Sequence, residues 1–557
     1  MMKLEIRPIS SLEKVFYDGP LTAPEMTTAT ALKGEIFSFQ FAVKNRTPWE
    51  GVESAALPIK TKVTLESKLP TRLREVRAVP VDMPVRENDG FVLRDQPGLF
   101  PDLLTDNPGD FMFPVSGWRS FWITVQVPSN CRPGKYPVTI RFEECDYGGK
   151  TIADPDVADC SFTLEVLGAK PAEQQILRYE WFHADCLASY YKVKTWSEEH
   201  WAVIEKFVRN GAAHGLNVLM TPLWTPPLDT AIGGERPTTQ LLIIRRKGKK
   251  YEFDFSRLER YVDLALRCGI THFAMSHAFT QWGSKATPKI VAEVGGKEKR
   301  IFGWDVPANS PEYKAFLTQL MPPLLKFFRA KGLGKKIFFS VSDEPSLANI
   351  ESYAYASKLM KSVLDGVPTI DALSSFEFFK RGLVENPVPA NNHIEPFVGQ
   401  VKDLYTYVCC GQWDRVPNRF IAMPSARNRI FGVLFYLYDI VGFLQWGFNF
   451  YYSLQSCYEV DPYRDTCGGN WVQGGDPFIV YPGKGGEPED SLRHEVFYDA
   501  LQDLNALRAL EKKIGRDAVI TLIHDGLTSR ITMTDYPRSA DWLLQLREKV
   551  NRYLAAK

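Results

Sequence analysis

The chain has 557 residues, of which 45% are hydrophobic and 24% charged, and its 67 Lys and Arg against 66 Asp and Glu leave a formal charge of +1. That length exceeds what one hydrophobic core supports and predicts two to four domains. The balanced charge offers no global field for a polyanion, which argues against a nucleic-acid partner.

The N-terminal run MMKLEIRPISSLEKVF has no apolar stretch of signal-peptide length followed by a small-residue cleavage site, so a cytoplasmic location is expected. Nine cysteines are scattered without paired metal-ligand spacing; Cys409 and Cys410 are neighbours but lack a second such pair. Reduced thiols and no bound metal are the expectation.

From Lys3 to about Leu167 the signals are those of strands: Gly34 to Val43 alternates, SFWITVQVP at Ser120 leads through NCRPGK into YPVTIRFEE as an expected hairpin, and CSFTLEVLG follows from Cys160. An N-terminal antiparallel β-sandwich over residues 1–168 is the natural reading, closed by the linker-like AKPAEQQ.

After Gln175 short apolar runs alternate with helix-like stretches, which implies parallel strands with helical crossovers. Strands are expected near Ile176, Leu216, Thr271, Lys336, Thr369, His393, Leu404 and Val441, and eight of them suggest a (β/α)8 TIM-like barrel over residues 169–515. The basic run from Arg245 to Lys250 sits between LLII and YEFDF and reads as a hairpin turn. Phe431 to Phe450 has the length of a membrane span, but Asp439, Gln445, Asn449 and Gly442 make it a buried helix running into a buried strand. Neither G-x-G-x-x-G nor a phosphate loop occurs, and GKGG at Gly483 has no strand-to-helix context, so no nucleotide or other cofactor is expected. Ser491 to Glu511 reads as a long helix. Residues 516–557 read as a helical extension packed on the barrel, with Trp542, Leu546, Val550 and Tyr553 on one side of its last helix.

Catalytic groups of such barrels gather at the C-terminal strand ends. The first strand ends in EWFHADC with His183 and Asp185, the second in LMTPLWTPPLD with Trp224 and Asp229, and the third in AMSHAFTQW with His277, Gln281 and Trp282. The fourth, IFFSVSDEP, runs straight into Asp343, Glu344 and the helix-starting Pro345; the seventh supplies Tyr407, and the eighth Trp446, Asn449 and Tyr451. Aromatic faces cover the apolar side of a pyranose while carboxylates and amides take its hydroxyls. Glycosidic hydrolysis normally needs two carboxyl groups, and a sugar's own 2-acetamido oxygen can replace the carboxylate nucleophile. Neighbours on a regular strand face opposite ways, so Asp343 and Glu344 can serve one sugar only if the chain turns there.

Plainer readings compete. Acidic residues at a helix N-terminus are favourable with the dipole whatever the function. His183 and His277 could be hydrogen-bonded core histidines, Trp282 and Trp446 could be barrel-mouth packing, and Asp185 and Asp229 could orient loops.

The run from WFHADC through TPLWTPPLD, GGERPT, SHAFTQWG and SDEP to GFLQWGFNFYY, with PSARNRI and SLRHEVFYDALQDLNAL, resembles glycoside hydrolase family 123 from roughly Tyr179 to Glu511. The resemblance implies a β-sandwich followed by a barrel, and a retaining β-N-acetylgalactosaminidase working by substrate assistance. It also implies Asp343 on the acetamido group and Glu344 as acid/base. The expected substrate is an oligosaccharide or glycolipid glycan with a terminal β-linked N-acetylgalactosamine, bound by His183, Asp185, Asp229, His277, Trp282, Tyr407, Trp446, Asn449 and Tyr451. A β-N-acetylglucosaminidase, another retaining β-glycosidase and a non-catalytic glycan-binding protein stay open as alternatives, as does a homodimer.

Overall fold

The computed structural model describes residues 1–106 and 109–556, apart from the side chains of residues 53 and 54; residues 107, 108 and 557, which fall within the expected sandwich and C-terminal spans, lie outside the described residues. The chain folds as an N-terminal β-rich region followed by a second region built on parallel strands and helices.

In the N-terminal region, alternation along the strands gives each one face to bury. One five-stranded sheet runs in the order Leu4–Ser10, Ile36–Asn45, Trp118–Gln126, Thr71–Val81, Gly98–Asp106. A second runs Thr28–Ala31, Val157–Val166, Gly134–Cys145, Ile59–Ser67, Asp110–Phe113. Phe39, Phe41, Phe121, Phe142 and Phe162 from the two sheets share one core, with Phe39 stacked on Phe162 at 4.0 Å. The expected hairpin does not form. Trp118–Gln126 pairs with Ile36–Asn45 and Thr71–Val81, whereas Gly134–Cys145 pairs with Val157–Val166 and Ile59–Ser67. The connection carries Pro128 and Pro133 and is longer than a tight hairpin turn, so the chain crosses between sheets and brings two apolar faces together.

The parallel strands of the second region are β1 (Leu177–Glu180), β2 (Val218–Thr221), β3 (His272–Met275), β4 (Ile337–Phe339), β5 (Ile370–Ala372), β6 (Asn386–Val388), β7 (Tyr405–Val408) and β8 (Gly442–Gln445). Six of them form one sheet in the order β4, β3, β2, β1, β8, β7, and β5 pairs with β6. Single parallel bridges, Phe339 to Thr369 and Ala390 to Tyr407, join that pair to β4 and β7. The sixth strand was expected at His393, which instead ends a short 3-10 turn, Asn391–His393. The strand lies at Asn386–Val388, where Pro387 and Pro389 disguise it; proline is tolerated there because the ladder on the β7 side is a single bridge. The basic run spans a hairpin, with Gly248 and Lys249 as the turn between strands Ile243–Lys247 and Lys250–Asp254. Helix Phe431–Leu437 runs into β8, and among the described residues no helix is long and apolar enough to cross a membrane.

Helix Leu492–Ile514 is buried between the two regions, and several of its charged residues are held in buried ion pairs. Arg493 pairs with Asp102 of the sandwich, Glu495 with Arg74, and Asp503 with Arg429 and Arg547. The last helix, Ala540–Ala555, buries Leu543, Leu546, Val550 and Asn551, while Tyr553 is exposed. Arg547 to Glu35 and Asn551 to Thr30 turn this helix toward the sandwich and rotate Tyr553 out, so it contacts both regions.

Candidate active site

Three apolar or small residues carry β4 past its last ladder pair to Asp343. Polar pairs fix each step: Ser340 Oγ donates to the Ile370 carbonyl at 2.9 Å, Val341 N–H to Asp371 Oδ1 at 2.8 Å, and Ser342 Oγ to the Thr280 carbonyl at 2.8 Å. Trp282 N–H then donates to the Asp343 carbonyl at 2.9 Å and Glu344 N–H to the Ala372 carbonyl at 3.1 Å. Glu344 has φ +38°, the left-handed region that non-glycine residues avoid. This turn is what lets two sequence neighbours face one space, and Pro345 follows it.

Asp343 and Glu344 line a cavity of about 190 Å³ with Trp181, Asp229, Trp282, Tyr407, Trp446 and Trp471 among its other walls. Tyr407 O–H donates to Glu344 Oε1 at 2.5 Å, and Trp446 Nε1–H to Asp476 Oδ2 at 2.9 Å. Asp229 and Trp282 also have positive φ, +44° and +55°. Three strained residues thus meet at one cavity, a pattern that surrounding structure must hold in place. Asp229 is clamped on both sides, its N–H by Gln281 Oε1 at 2.5 Å and its carbonyl by Ser456 Oγ at 2.7 Å, while its carboxylate has no hydrogen-bond partner among the described residues.

Burial pushes the Asp343 carboxyl well above the usual carboxylate range, and Glu344, Asp229 and Asp371 push it further the same way. Burial raises Asp229 to about 7, with Arg236 opposing and Glu344 and Asp476 assisting. Burial likewise raises Asp476 to about 7, against the lowering by Trp446, Arg419 and Gln445. In the unfolded chain such carboxyls titrate near 3.8. The folded state therefore binds these protons more tightly, and the stability they contribute is present below about pH 4 and lost as pH rises to about 7. Asp229→Asn is expected to flatten that fall by about 2 kcal/mol, discounted for the carboxylate's opening onto the cavity. Urea unfolding at about pH 4 and about pH 8 measures it; superimposable wild-type and variant profiles would refute it.

Of the expected site residues, Asp343, Glu344, Asp229, Trp282, Tyr407 and Trp446 meet at the cavity, and five do not line it. His183 Nδ1 accepts from Arg236 Nη2 at 3.1 Å, so its Nε2–H donates to the Trp446 carbonyl at 2.9 Å, and burial holds it neutral by lowering it to about 4. Asp185 forms a buried two-bond pair with Arg236 at 2.7 and 2.8 Å. Asn449 brackets the His183 backbone on both sides, and Tyr451 O–H donates to the Val480 carbonyl at 2.9 Å. These four have given their polar atoms to protein partners behind the wall. His277 packs edge-on against Trp181 at 5.2 Å, its Nδ1 buried without a hydrogen-bond partner among the described residues. Trp224 lies beneath, with Nε1–H on the His277 carbonyl at 2.7 Å.

Sequence reasoning missed Trp181, Trp471, Cys409, Cys410 and the supporting Asp371, Asp476 and Arg236. Trp181 directly follows β1 and was open to the same strand-end argument. Trp471 and Asp476 lie more than twenty residues beyond β8, where no periodicity marks them.

Among the described residues, one cluster brings His and carboxylate ligand atoms within 4.8 Å: His214, Asp490 and His494, at the junction with the sandwich rather than at the cavity. Arg178 donates to His494 Nδ1 at 3.2 Å and Arg74 to Asp490 at 2.6 Å, so arginine charge already occupies the place of a cation.

A strand-end pair of carboxyl groups in an aromatic-walled cavity is what a glycoside hydrolase requires. The family model for the glycoside hydrolase 123 catalytic domain matches residues 181–510, and the chain belongs to that family. Among solved structures, a family 123 glycoside hydrolase from Clostridium perfringens, described for glycolipid glycan hydrolysis, matches at 15% identity with a TM-score of 0.72, covering 99% of this chain and 97% of that one. A family 5 mannosidase from Rhizomucor miehei matches at 13% identity and a TM-score of 0.31, covering 64% of this chain and 97% of that one, too low to bear on the site. No curated protein matches by sequence.

Proposed function

We propose that the protein is an exo-acting retaining β-N-acetylgalactosaminidase that cleaves terminal 2-acetamido sugars from oligosaccharides or glycolipid glycans by substrate assistance. The observation that carries the reading is the left-handed turn at Glu344, which gives adjacent carboxyls a common cavity. In this scheme the acetamido carbonyl oxygen attacks the anomeric carbon from one face while Glu344 protonates the departing glycosidic oxygen. Asp343 accepts the acetamido N–H and, in its ionised form, offsets the positive charge of the oxazolinium; the developing cation favours that charged form against the burial that raises its pKa. Glu344, oriented by Tyr407, then removes a proton from the water that reopens the ring with net retention. Trp282, Trp446, Trp181 and Trp471 supply the pyranose faces and Asp229 a hydroxyl acceptor. His183, Asp185, His277, Asn449 and Tyr451 act by fixing that wall. The eight-strand pairing supports closure into a (β/α)8 barrel over residues 169–515 behind a sandwich at 1–168, with 516–557 as a helical extension.

The test is hydrolysis of nitrophenyl 2-acetamido-2-deoxy-β-galactoside and its gluco epimer, with a thiazoline mimic of the oxazolinium as inhibitor. Galactoside turnover with tight thiazoline inhibition is expected; turnover insensitive to thiazoline would replace substrate assistance by a carboxylate nucleophile. Trp282, 41% exposed at the cavity rim, is expected to act mainly through binding. Trp282→Ala should raise KM about tenfold, from the loss of roughly 1–2 kcal/mol of ring contact, and Trp282→Phe should recover most of it. An unchanged KM in Trp282→Ala would remove that residue from the site.

A further inference from the structure

β7 ends at Val408, and the next two residues, Cys409 and Cys410, both line the cavity that holds Glu344. Neighbours on an extended strand point to opposite faces, but a turn closes here at once. Gln412 N–H donates to the Cys409 carbonyl at 3.1 Å, Cys409 N–H to Gln412 Oε1 at 2.9 Å, and Asn418 Nδ2 to the Cys409 carbonyl at 2.9 Å. The turn brings both residues to the same wall, and Gly411 N–H reaches Cys409 Sγ at 3.5 Å. No other two cysteines are adjacent in the chain, and these two are free thiols. The mechanism proposed above assigns them no task.

We propose that Cys409 and Cys410 form a two-thiol site for a trivalent, thiophilic ligand of the organoarsenical class, and that filling it closes the cavity to sugar. With an arsine oxide, two As–S bonds form, the As=O bond and two S–H bonds break, and one water leaves with both protons; no oxidant or reductant is consumed. The same surroundings make the pair a poor target for reagents that need a thiolate. Contact with Cys410, burial, and the charges of Glu344 and Asp476 all push the Cys409 thiol well above its usual range. Chelation by two adjacent sulfurs is thus the chemistry this wall favours over single-thiol alkylation. Closure of the cavity rests on the function proposed above; ligand capture does not.

The probe is phenylarsine oxide added to the full-length protein, read by intact mass, by thiol titration and by hydrolysis of the nitrophenyl galactoside. One adduct per chain is expected, with loss of two titratable thiols and of turnover, reversed by a dithiol such as 2,3-dimercaptopropanol and not by a monothiol. Cys409→Ser and Cys410→Ser should each lose the dithiol-specific adduct, whereas Cys457→Ser, which removes an exposed thiol elsewhere, should keep it. Should a serine variant fold poorly, peptide mapping of the wild-type adduct locates it directly. No adduct in the wild type, or an adduct mapping away from Cys409 and Cys410, overturns the site. An adduct there with undiminished turnover overturns the closure alone, and a wild type inactive on every nitrophenyl substrate sinks the functional reading while leaving the mass result decisive for binding.

Discussion

Glu344→Gln is expected to lower kcat on the nitrophenyl β-galactosaminide by about 10²–10⁴-fold, the range for removing a positioned general acid/base. Asp343→Asn should cost about 10²–10³-fold, as for loss of one preorganised electrostatic partner. The two should separate by leaving group. Nitrophenolate departs with little help, so Glu344→Gln should be hurt more on a natural oligosaccharide, whose alkoxide must be protonated. Asp343→Asn should be hurt alike on both, because the acetamido attack is common to them. Stability should move the other way. Asp343 sits among Glu344, Asp229 and Asp371, which disfavour its charge, so the neutral amide should raise unfolding free energy by about 1 kcal/mol, the usual cost of a functional group held in an unfavourable place. Wild-type kcat in either folded variant would mean the chemistry lies elsewhere, with Asp229 the next acid to test.

The second large effect is expected from a residue of the sandwich. Asp102, in strand Gly98–Asp106, accepts from Arg493 Nε at 2.9 Å, Arg493 Nη2 at 3.0 Å and Tyr481 O–H at 2.7 Å. Arg493 Nη1 in turn donates to the carbonyls of Gly475 at 2.6 Å and Phe478 at 2.9 Å. Those carbonyls bracket Asp476, whose carboxylate holds Trp446 Nε1 in the cavity wall. Every side chain in this series is buried. Asp102→Ala leaves the Arg493 guanidinium buried without its counter-ion, a change that costs about 3–5 kcal/mol. Asp102→Asn keeps an acceptor and should cost less. Below the unfolding transition, Asp102→Ala should also raise KM and weaken thiazoline binding while leaving kcat nearly intact, because Trp446 moves and the carboxyls do not. A purely stabilising role would shift the melting temperature without touching KM, and that result would cut the connection from sandwich to sugar.

The sequence by itself determined the kinds of element and most of their places. Strand alternation and the switch to apolar runs with helical crossovers separated the two regions, and seven of the eight expected parallel strands lie within two residues of where the pattern put them. Asp343 and Glu344 were legible because a short apolar run delivers them to a strand end ahead of a proline, a signal carried by a few consecutive residues. Which strand pairs with which was not so carried. The sequence segments around NCRPGK look like a hairpin locally, and only the need of two apolar faces for a common core sends them to opposite sheets. In the same way His183 and Asp185 stand at a strand end as promisingly as Trp181 does, but Arg236, some fifty residues away, takes up their polar atoms and leaves the tryptophan to face the cavity. Local pattern fixes what a segment can form. Which side chains remain free for substrate depends on partners distant in the chain, and only the folded arrangement supplies them.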